Sequence, residues 1–225
     1  MSEIKTLPQL QDALDKEMSW RVKEIGSFTV AAKANGPQRR FFIRAGVALL
    51  YAHWEGFIKS SSDMYLNYIH NKSLSYADLK SCFAVMGLKS KLNMLRESKK
   101  SKANVEAFEF ITSELGKTAS IYGSNYIDTE SNLTSIVFSN IAQSLDIEID
   151  AYQMHFNLID QSLVHRRNKI AHGEYIDIGG KEFSDLVENV LLMMRNYKTD
   201  LENAASLEKY KRPATTSAQP QLPPS

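Results

Sequence analysis

The sequence predicts an all-helical protein, and three observations lead to that prediction. Apolar side chains recur every three or four residues over long stretches, which is the period of a helix with one buried face. Glycine and proline are scarce, at 10 and 6 residues, and four of the prolines lie within residues 213–225. No segment alternates as a strand does, and no repeat of fixed length occurs. We therefore expect a helical bundle with short loops.

The first two helices are predicted from a cap and from one long apolar stripe. Thr6 can cap a helix that has Pro8 in its first turn. That helix runs to about Ala34 and ends at Gly36-Pro37. The next spans residues 38–71, and a broad apolar face predicts that it is central to the bundle. The members of this face are Ile43, Val47, Leu50, Trp54, Phe57, Ser61, Tyr65 and Tyr68.

Five further helices are predicted from shorter periodic segments and their end signals. Gly173 follows the fourth of them as a stop, and Gly179-Gly180 completes the break. The last helix carries a second regular stripe, formed by Phe183, Val187, Val190, Met194, Tyr197 and Leu201. The five helices cover residues 76–96 (capped by Ser75), 105–117, 131 or 132 to 145, 149–172 and 181–205.

Length and terminal composition predict one domain, residues 1–206, followed by a disordered tail, residues 207–225. A chain of 225 residues is long enough to bury the core of one ordinary domain. The C-terminal residues are rich in proline and poor in apolar side chains. Such a segment cannot bury enough surface to offset the entropy lost on ordering.

Composition excludes several classes of protein. No run of about 18 apolar residues occurs, so we expect no membrane span, and the polar N-terminus predicts a cytoplasmic protein. Cys82 is the single cysteine, and the five histidines do not cluster with acids, so we expect no disulfide, metal or cofactor. With 27 basic and 26 acidic residues, any nucleic-acid site must come from local clustering of charge.

Residues 163–174 carry the residue types needed for chemistry. On a regular helix, Asn168 and His165 lie within about 40° of His172, which forms a polar stripe of uncharged groups. A histidine can transfer a proton near neutral pH, and an arginine can neutralise a phosphate. These are the groups needed to cleave RNA without a metal, through attack of the ribose 2′-hydroxyl on its own phosphate.

The arginines of this segment pose a geometric difficulty. Arg167 and Arg166 lie about 140° and about 120° from His172, on opposite sides of a straight helix. Either the helix loosens at residues 171–173, or two copies of the helix end face each other across a two-fold axis. We favour the second arrangement, which predicts a homodimer. The alternative interpretation is an ordinary helix end, with cations in the last turn and a glycine cap.

The segment from Arg167 to His172 resembles the Arg-polar-x-x-x-His motif of the HEPN superfamily. The upstream sequence Leu50–Phe57 is similar to the bacterial branch found near restriction, toxin–antitoxin and phage-defence genes. The resemblance would cover most of residues 38–205. It implies a four- or five-helix core, to which this chain adds N-terminal and middle helices, and a symmetric dimer. It also implies a metal-independent endoribonuclease that leaves 2′,3′-cyclic phosphate ends.

The resemblance also implies roles for individual residues. Arg167 would hold the scissile phosphate, His172 would act as acid and base, and Asn168 would orient His172 or contact the phosphate. Glu55 would lie near the site on a neighbouring helix, or be a simple solvated glutamate. Some family toxins carry a tyrosine two residues after the histidine that a partner enzyme modifies. Tyr175 lies one residue later, so that control is not implied here.

The expected function is therefore that of a toxin or a phage-defence effector that cleaves RNA and is held in check by a neutralising protein. The alternative is a non-catalytic interaction or antitoxin module in a defence system. A third interpretation is an RNA-binding adaptor that uses the basic segment 89–102. Lys99 and Lys100 of that segment can grip an RNA backbone, or belong to a solvated loop.

Other polar residues also have two interpretations. Arg166 is a second phosphate ligand or one half of a salt bridge, and His165 is a substrate contact or an ordinary hydrogen-bonding group. His53 and His155 flank apolar faces, which predicts core or edge positions. Three arginines begin the central helix, where the helix dipole does not favour cations, so a phosphate or acidic partner competes there with ordinary surface pairs: Arg39, Arg40 and Arg44.

Overall fold

The computed structural model describes residues 3–33, 36, 38–97, 99–122 and 126–213, and these form an all-helical bundle. The predicted fold class is confirmed. The described part contains two isolated β-bridges and no strand. In chain order the helices are α1 (Leu7–Ala32), α2 (Gln38–His70), α3 (Ser81–Glu97), α4 (Ser101–Glu114), α5 (Ser135–Ser144), α6 (Asp150–Gln153), a π-helix (Leu158–His165), α7 (Arg166–Ala171) and α8 (Gly180–Ser206).

Helix α2 is the central element, as predicted. It packs against α1, α8, the π-helix and α7, and every member of its predicted apolar face is buried. Ser61 donates its hydroxyl to the Phe57 carbonyl at 2.6 Å, so burial does not leave this hydroxyl unpaired. Phe138 on α5 contacts the Trp54 ring at 5.2 Å and the Tyr197 ring of α8 at 5.7 Å. These contacts join α2, α5 and α8 in one aromatic core.

The starts of two predicted helices are corrected by the structure. Ser75 accepts the Asp78 N–H, but this closes a turn rather than a helix. Residues 76 and 77 donate to the carbonyls of Lys117 and Leu115, and these tertiary hydrogen bonds delay α3 until Ser81. Similarly, α5 begins after Thr134, whose hydroxyl accepts the Val137 N–H at 3.3 Å, and not after residue 131 or 132. Helix α4 lies three to four residues earlier than predicted.

The predicted helix 149–172 is not one regular helix. Four residues of α6 are followed by a turn, and the chain then forms the π-helix before α7 begins. A π-helix turns by less than 100° per residue because its hydrogen bonds span five residues. The helical wheel that placed His165 on one stripe with Asn168 and His172 therefore holds only from Arg166 onward.

The predicted tail boundary is also corrected. Tyr210 is fully buried, and its carbonyl accepts the Lys80 N–H at 2.9 Å. The Arg212 N–H donates to the Asp78 carbonyl at 2.7 Å. Residues 207–213 are therefore fixed on the start of α3, because one buried aromatic ring anchors them. Residues 214–225, the remainder of the predicted tail, lie outside the described part of the chain.

No helix in the described ranges is long and apolar enough to cross a membrane. The same ranges contain no group of three or more histidine, cysteine or acidic side chains placed to hold a metal ion.

Candidate active site

Helix α7 ends in a Schellman motif that places His172 at the C-cap. The Glu174 N–H donates to the Lys169 carbonyl at 2.9 Å, and the Gly173 N–H donates to the Ile170 carbonyl at 3.0 Å. Gly173 has φ +79°, a conformation that glycine adopts without strain. The side chain of His172 is exposed at this end, with the chain already turning away from the helix axis.

Arg167 lies on the opposite side of α7, against the central helix. Its guanidinium carbon lies 4.0 Å from the centre of the Tyr51 ring, a cation–π contact. Its Nη1 donates to Asn168 Oδ1 at 2.8 Å. No carboxylate in the described part of the chain forms an ion pair with Arg167. The guanidinium is thus held in a fixed orientation with its charge uncompensated.

Tyr51 positions Arg167, and the Tyr51 side chain is itself held in place by a hydrogen bond and by burial. Its hydroxyl accepts the Leu133 N–H at 2.8 Å, and the side chain is buried. Burial raises the pKa of the Tyr51 hydroxyl, the half-buried Glu55 raises it further, and both the Leu133 N–H and Arg167 act in the opposite direction. Glu55 lies four residues after Tyr51 on α2 and forms no ion pair with Arg167.

The loop after His172 lies against the first turns of α2. Arg44 donates from Nη2 to the Glu174 carbonyl at 2.8 Å, and its guanidinium lies 5.6 Å from the centre of the Tyr175 ring. Arg40 donates to the Tyr175 hydroxyl at 3.5 Å. Because Arg167 contacts Tyr51 while residue 174 contacts Arg44, α7 runs antiparallel to α2. Two arginines of α2 thus contact the loop that follows α7.

Arg166 and His165 are placed apart from this group. Arg166 forms an ion pair with Glu182 on α8 and lines a cleft of about 480 Å³ between the π-helix and α8. The structure therefore places Arg166 in the salt bridge that the sequence offered as its second interpretation. His165 is exposed at the end of the π-helix, beyond the part of the chain where the wheel places residues beside His172.

Lys99 and Lys100 are also separate from the site. Both are exposed in the connection between α3 and α4. Helix α4 packs on α3, and α3 in turn touches α5, whereas the main neighbours of α7 are α2 and the π-helix. The basic segment and the Arg167–His172 group are thus on different parts of the surface.

Three residues of the site were not assigned to it from the sequence. Tyr51 lies in the segment 50–57, but its contact with Arg167 depends on how α7 packs on α2. Arg40 and Arg44 were noted only as unusual cations at a helix start, and nothing local linked them to residue 174. Their position in the first turns of a helix was the one sequence feature that could have indicated a partner, because the helix dipole disfavours cations there.

Comparison with known proteins yields one result. A family model described as RiboL-PSP-HEPN matches residues 16–203, which is most of the chain and includes residues 16–32 of α1. No curated protein and no solved structure matches the chain.

Proposed function

The chain belongs to the RiboL-PSP-HEPN family, and hence to the HEPN superfamily, and from that premise we propose that it is an endoribonuclease. The predicted superfamily is confirmed by this match, and the family points to an RNA-related role. The match begins earlier than the predicted residues 38–205 and includes residues 16–32 of α1, which packs along α2.

The proposed reaction uses a nucleophile that the substrate supplies. The ribose 2′-oxygen forms a bond to the adjacent phosphorus while the bond from phosphorus to the 5′-oxygen breaks. His172 accepts the proton of the 2′-hydroxyl, and the imidazolium so formed supplies a proton to the departing 5′-oxygen. Arg167 neutralises the charge that develops on the phosphate oxygens, and Asn168 keeps the guanidinium in place. The products are a 2′,3′-cyclic phosphate and a 5′-hydroxyl.

One observation carries this proposal: the side chain of Arg167 is held in position, yet no acidic side chain in the described part of the chain neutralises its charge. The Tyr51 ring and the Asn168 amide fix its position, yet neither removes its charge. A half-buried cation without an acidic partner is well placed to bind a phosphate, whose oxygens accept charge-assisted hydrogen bonds from the guanidinium. The exposed His172 follows at the end of the same short helix.

We further propose that the working site combines two copies of α7. None of the six residues of α7 is buried, although the helix lies on the central helix of the bundle. Arg167 faces α2 while His172 extends from the helix end, so one chain does not aim both groups along one direction. A two-fold axis beside α7 would bring Arg167 of one chain to His172 of the other, which forms two equivalent sites in each dimer.

Cleavage of RNA in the presence of EDTA tests the activity. Wild-type protein should cut total RNA, leave 2′,3′-cyclic phosphate ends and leave a 2′-deoxy oligonucleotide intact. His172→Ala and Arg167→Ala should each lower the rate by roughly 10²- to 10⁴-fold. Arg195→Ala removes an exposed arginine of α8 and serves as the matched control. Equal cleavage by all four proteins would reject the assigned residues.

Mixing two inactive variants tests the composite site. If arginine and histidine act across the dimer, Arg167→Ala mixed with His172→Ala has one intact site in each mixed dimer. Random exchange should then restore about one quarter of the wild-type activity. No recovery in a mixture shown to exchange subunits would place both groups within one chain.

The biological setting that we propose is a toxin or phage-defence effector, restrained by a neutralising protein. Expression should slow growth, and His172→Ala should relieve that effect. Arg195→Ala, which keeps the site intact, should remain as toxic as the wild type.

A non-catalytic interaction module is the second candidate, and the geometry of the helix end favours it. A Schellman motif with Gly173 needs no function beyond ending a helix, and the Tyr51 contact can simply fasten α7 to α2. This candidate predicts no RNA cleavage by the wild type and no difference in growth between wild type and His172→Ala.

A further inference from the structure

The loop that follows His172 carries an aromatic ring that is exposed and yet held in place. The side chain of Tyr175 is 65% exposed. Arg44 lies 5.6 Å from the centre of its ring, and Arg40 donates to its hydroxyl at 3.5 Å. An exposed tyrosine without such contacts would move freely among its rotamers. Here, cations from the central helix restrict the ring and leave much of its surface open.

The two arginines are only partly satisfied by the protein. Arg44 donates to the Glu174 carbonyl, but its Nε is buried without a hydrogen-bond partner. Arg40 lies 3.8 Å from the Asp177 carboxylate, and both side chains of that pair are about two-thirds exposed. An exposed ion pair of this kind contributes little, so a phosphate can replace the carboxylate at small cost.

Proteins bind single-stranded RNA through exposed aromatic rings that lie beside guanidinium groups, and this surface combines the two. Bases stack on tyrosine because every base has a π-face, and arginines beside the ring hold the neighbouring phosphates. Residues 172 and 175 are three positions apart, which limits their separation to about 11 Å. A base next to the phosphate at His172 can therefore reach the ring.

We propose that Tyr175, together with Arg40 and Arg44, is the platform on which a nucleobase flanking the scissile phosphate stacks. This inference rests on the proposed function for its location, because it assumes that RNA enters at His172. It adds a binding subsite for one base, which makes the substrate single-stranded at that nucleotide. The ring binds the base and takes no part in proton transfer.

The test measures binding in the absence of cleavage. In a His172→Ala background, a labelled single-stranded RNA is titrated against Tyr175→Phe and Tyr175→Leu. The phenylalanine variant should bind within about twofold of the parent, since its ring still stacks. The leucine variant should bind roughly 5- to 100-fold more weakly, the range that the loss of one base–aromatic stack causes. Phe108→Leu, at an exposed ring on α4, should have no effect and is the matched control.

A substrate series identifies the base. Each nucleotide is replaced in turn by an abasic one, and the penalty of Tyr175→Leu should vanish for the single position whose base stacks on the ring. Equal binding of the phenylalanine and leucine variants would overturn the platform, as would a penalty that no abasic position removes or an absence of RNA binding.

The outcome is separable from that of the proposed function. Cleavage by the wild type with equal binding of the two Tyr175 variants would retain the nuclease and reject the platform. If RNA binding depends on the Tyr175 ring but the wild-type protein never cleaves RNA, the platform is retained and the nuclease is rejected.

Discussion

Two arginine–histidine groups near α2, both in the described part of the chain, have opposite surroundings. Arg21 on α1 and His53 on α2 are 6% and 2% exposed and lie in the bundle interior. Arg167 is half-buried, and His172 is exposed at the end of α7. Because both groups contain the same residue types, the sequence alone does not show which is structural and which is functional. The side chains that contact each group make that distinction.

The interior group is compensated by carboxylates. Arg21 forms an ion pair with Glu17 at 2.5 Å and donates to the His53 carbonyl at 3.2 Å. The His53 ring lies 3.4 Å from a carboxylate oxygen of Glu24. Gly56 makes room for the guanidinium, since a Cβ there would lie 2.9 Å from Arg21 Nη1. This group fastens α1 to α2.

The group on α7 has no carboxylate to neutralise its arginine in the described part of the chain. Its cation is oriented by an aromatic ring and an amide, both of which leave the charge available to a ligand. The comparison indicates that a buried arginine with an acid partner serves the fold. An oriented arginine without one is better suited to an anion that arrives from solution.

The largest effect on stability is expected from Arg21→Met. Removing the guanidinium leaves the Glu17 carboxylate, whose side chain is 16% exposed, without its partner. We expect the free energy of unfolding to fall by about 3 kcal/mol. Arg167→Met loses one cation–π contact and should cost about 1 kcal/mol or less. Urea unfolding measures the free energy of unfolding of both variants. Equal losses of stability would contradict the distinction between the two groups.

A smaller effect on stability is expected where Gly56 meets Arg21. Alanine at this position pushes against a buried guanidinium, whereas Gly26 in the middle of α1 has open space around it. Gly26→Ala should stabilise the protein by about 0.5–1 kcal/mol because alanine favours a helix. Gly56→Ala should be less stable than Gly26→Ala by about 1–3 kcal/mol. Thermal unfolding compares them, and equal midpoints would show that Arg21 does not need the space.

The smallest effect is a change in pH dependence. Burial lowers the pKa of His53, and Arg21 lowers it further, while Glu24 acts to raise it. The unfolded chain therefore binds a proton more readily than the folded protein does, and stability is complete only above the ordinary histidine pKa of about 6.5. As the pH falls below that value, this contribution is lost. His53→Gln should flatten the decline in unfolding free energy on acidification, and an unchanged slope would assign the decline to other groups.

The parts of the fold that were predicted correctly depend on local pattern. The faces of α2 and α8 followed from spacing, since apolar groups at three and four residues line one side of any helix. The cap at Thr6 and the stop at Gly173 are likewise properties of adjacent residues.

Three of the errors have a different cause. Ser75 was assigned to a helix start, but hydrogen bonds to Lys117 and Leu115 decide the conformation of the segment that follows it. The π-helix before α7 and the burial of Tyr210 also have no signal in the local apolar pattern. At the site, Arg167 and His172 were visible in the motif. Tyr51 and Arg44 become neighbours of that motif only when α7 lies on α2.

The most direct test of the account compares the two histidines as matched variants. His172→Gln and His53→Gln each replace an imidazole by an amide that still forms hydrogen bonds. RNA cleavage is measured for both in EDTA, per folded molecule, beside the wild type. We predict that His172→Gln loses activity by about 100-fold or more, while His53→Gln stays within a few-fold of the wild type. Retained cleavage in His172→Gln, or an equal loss in both, would contradict the assignment of chemistry to α7.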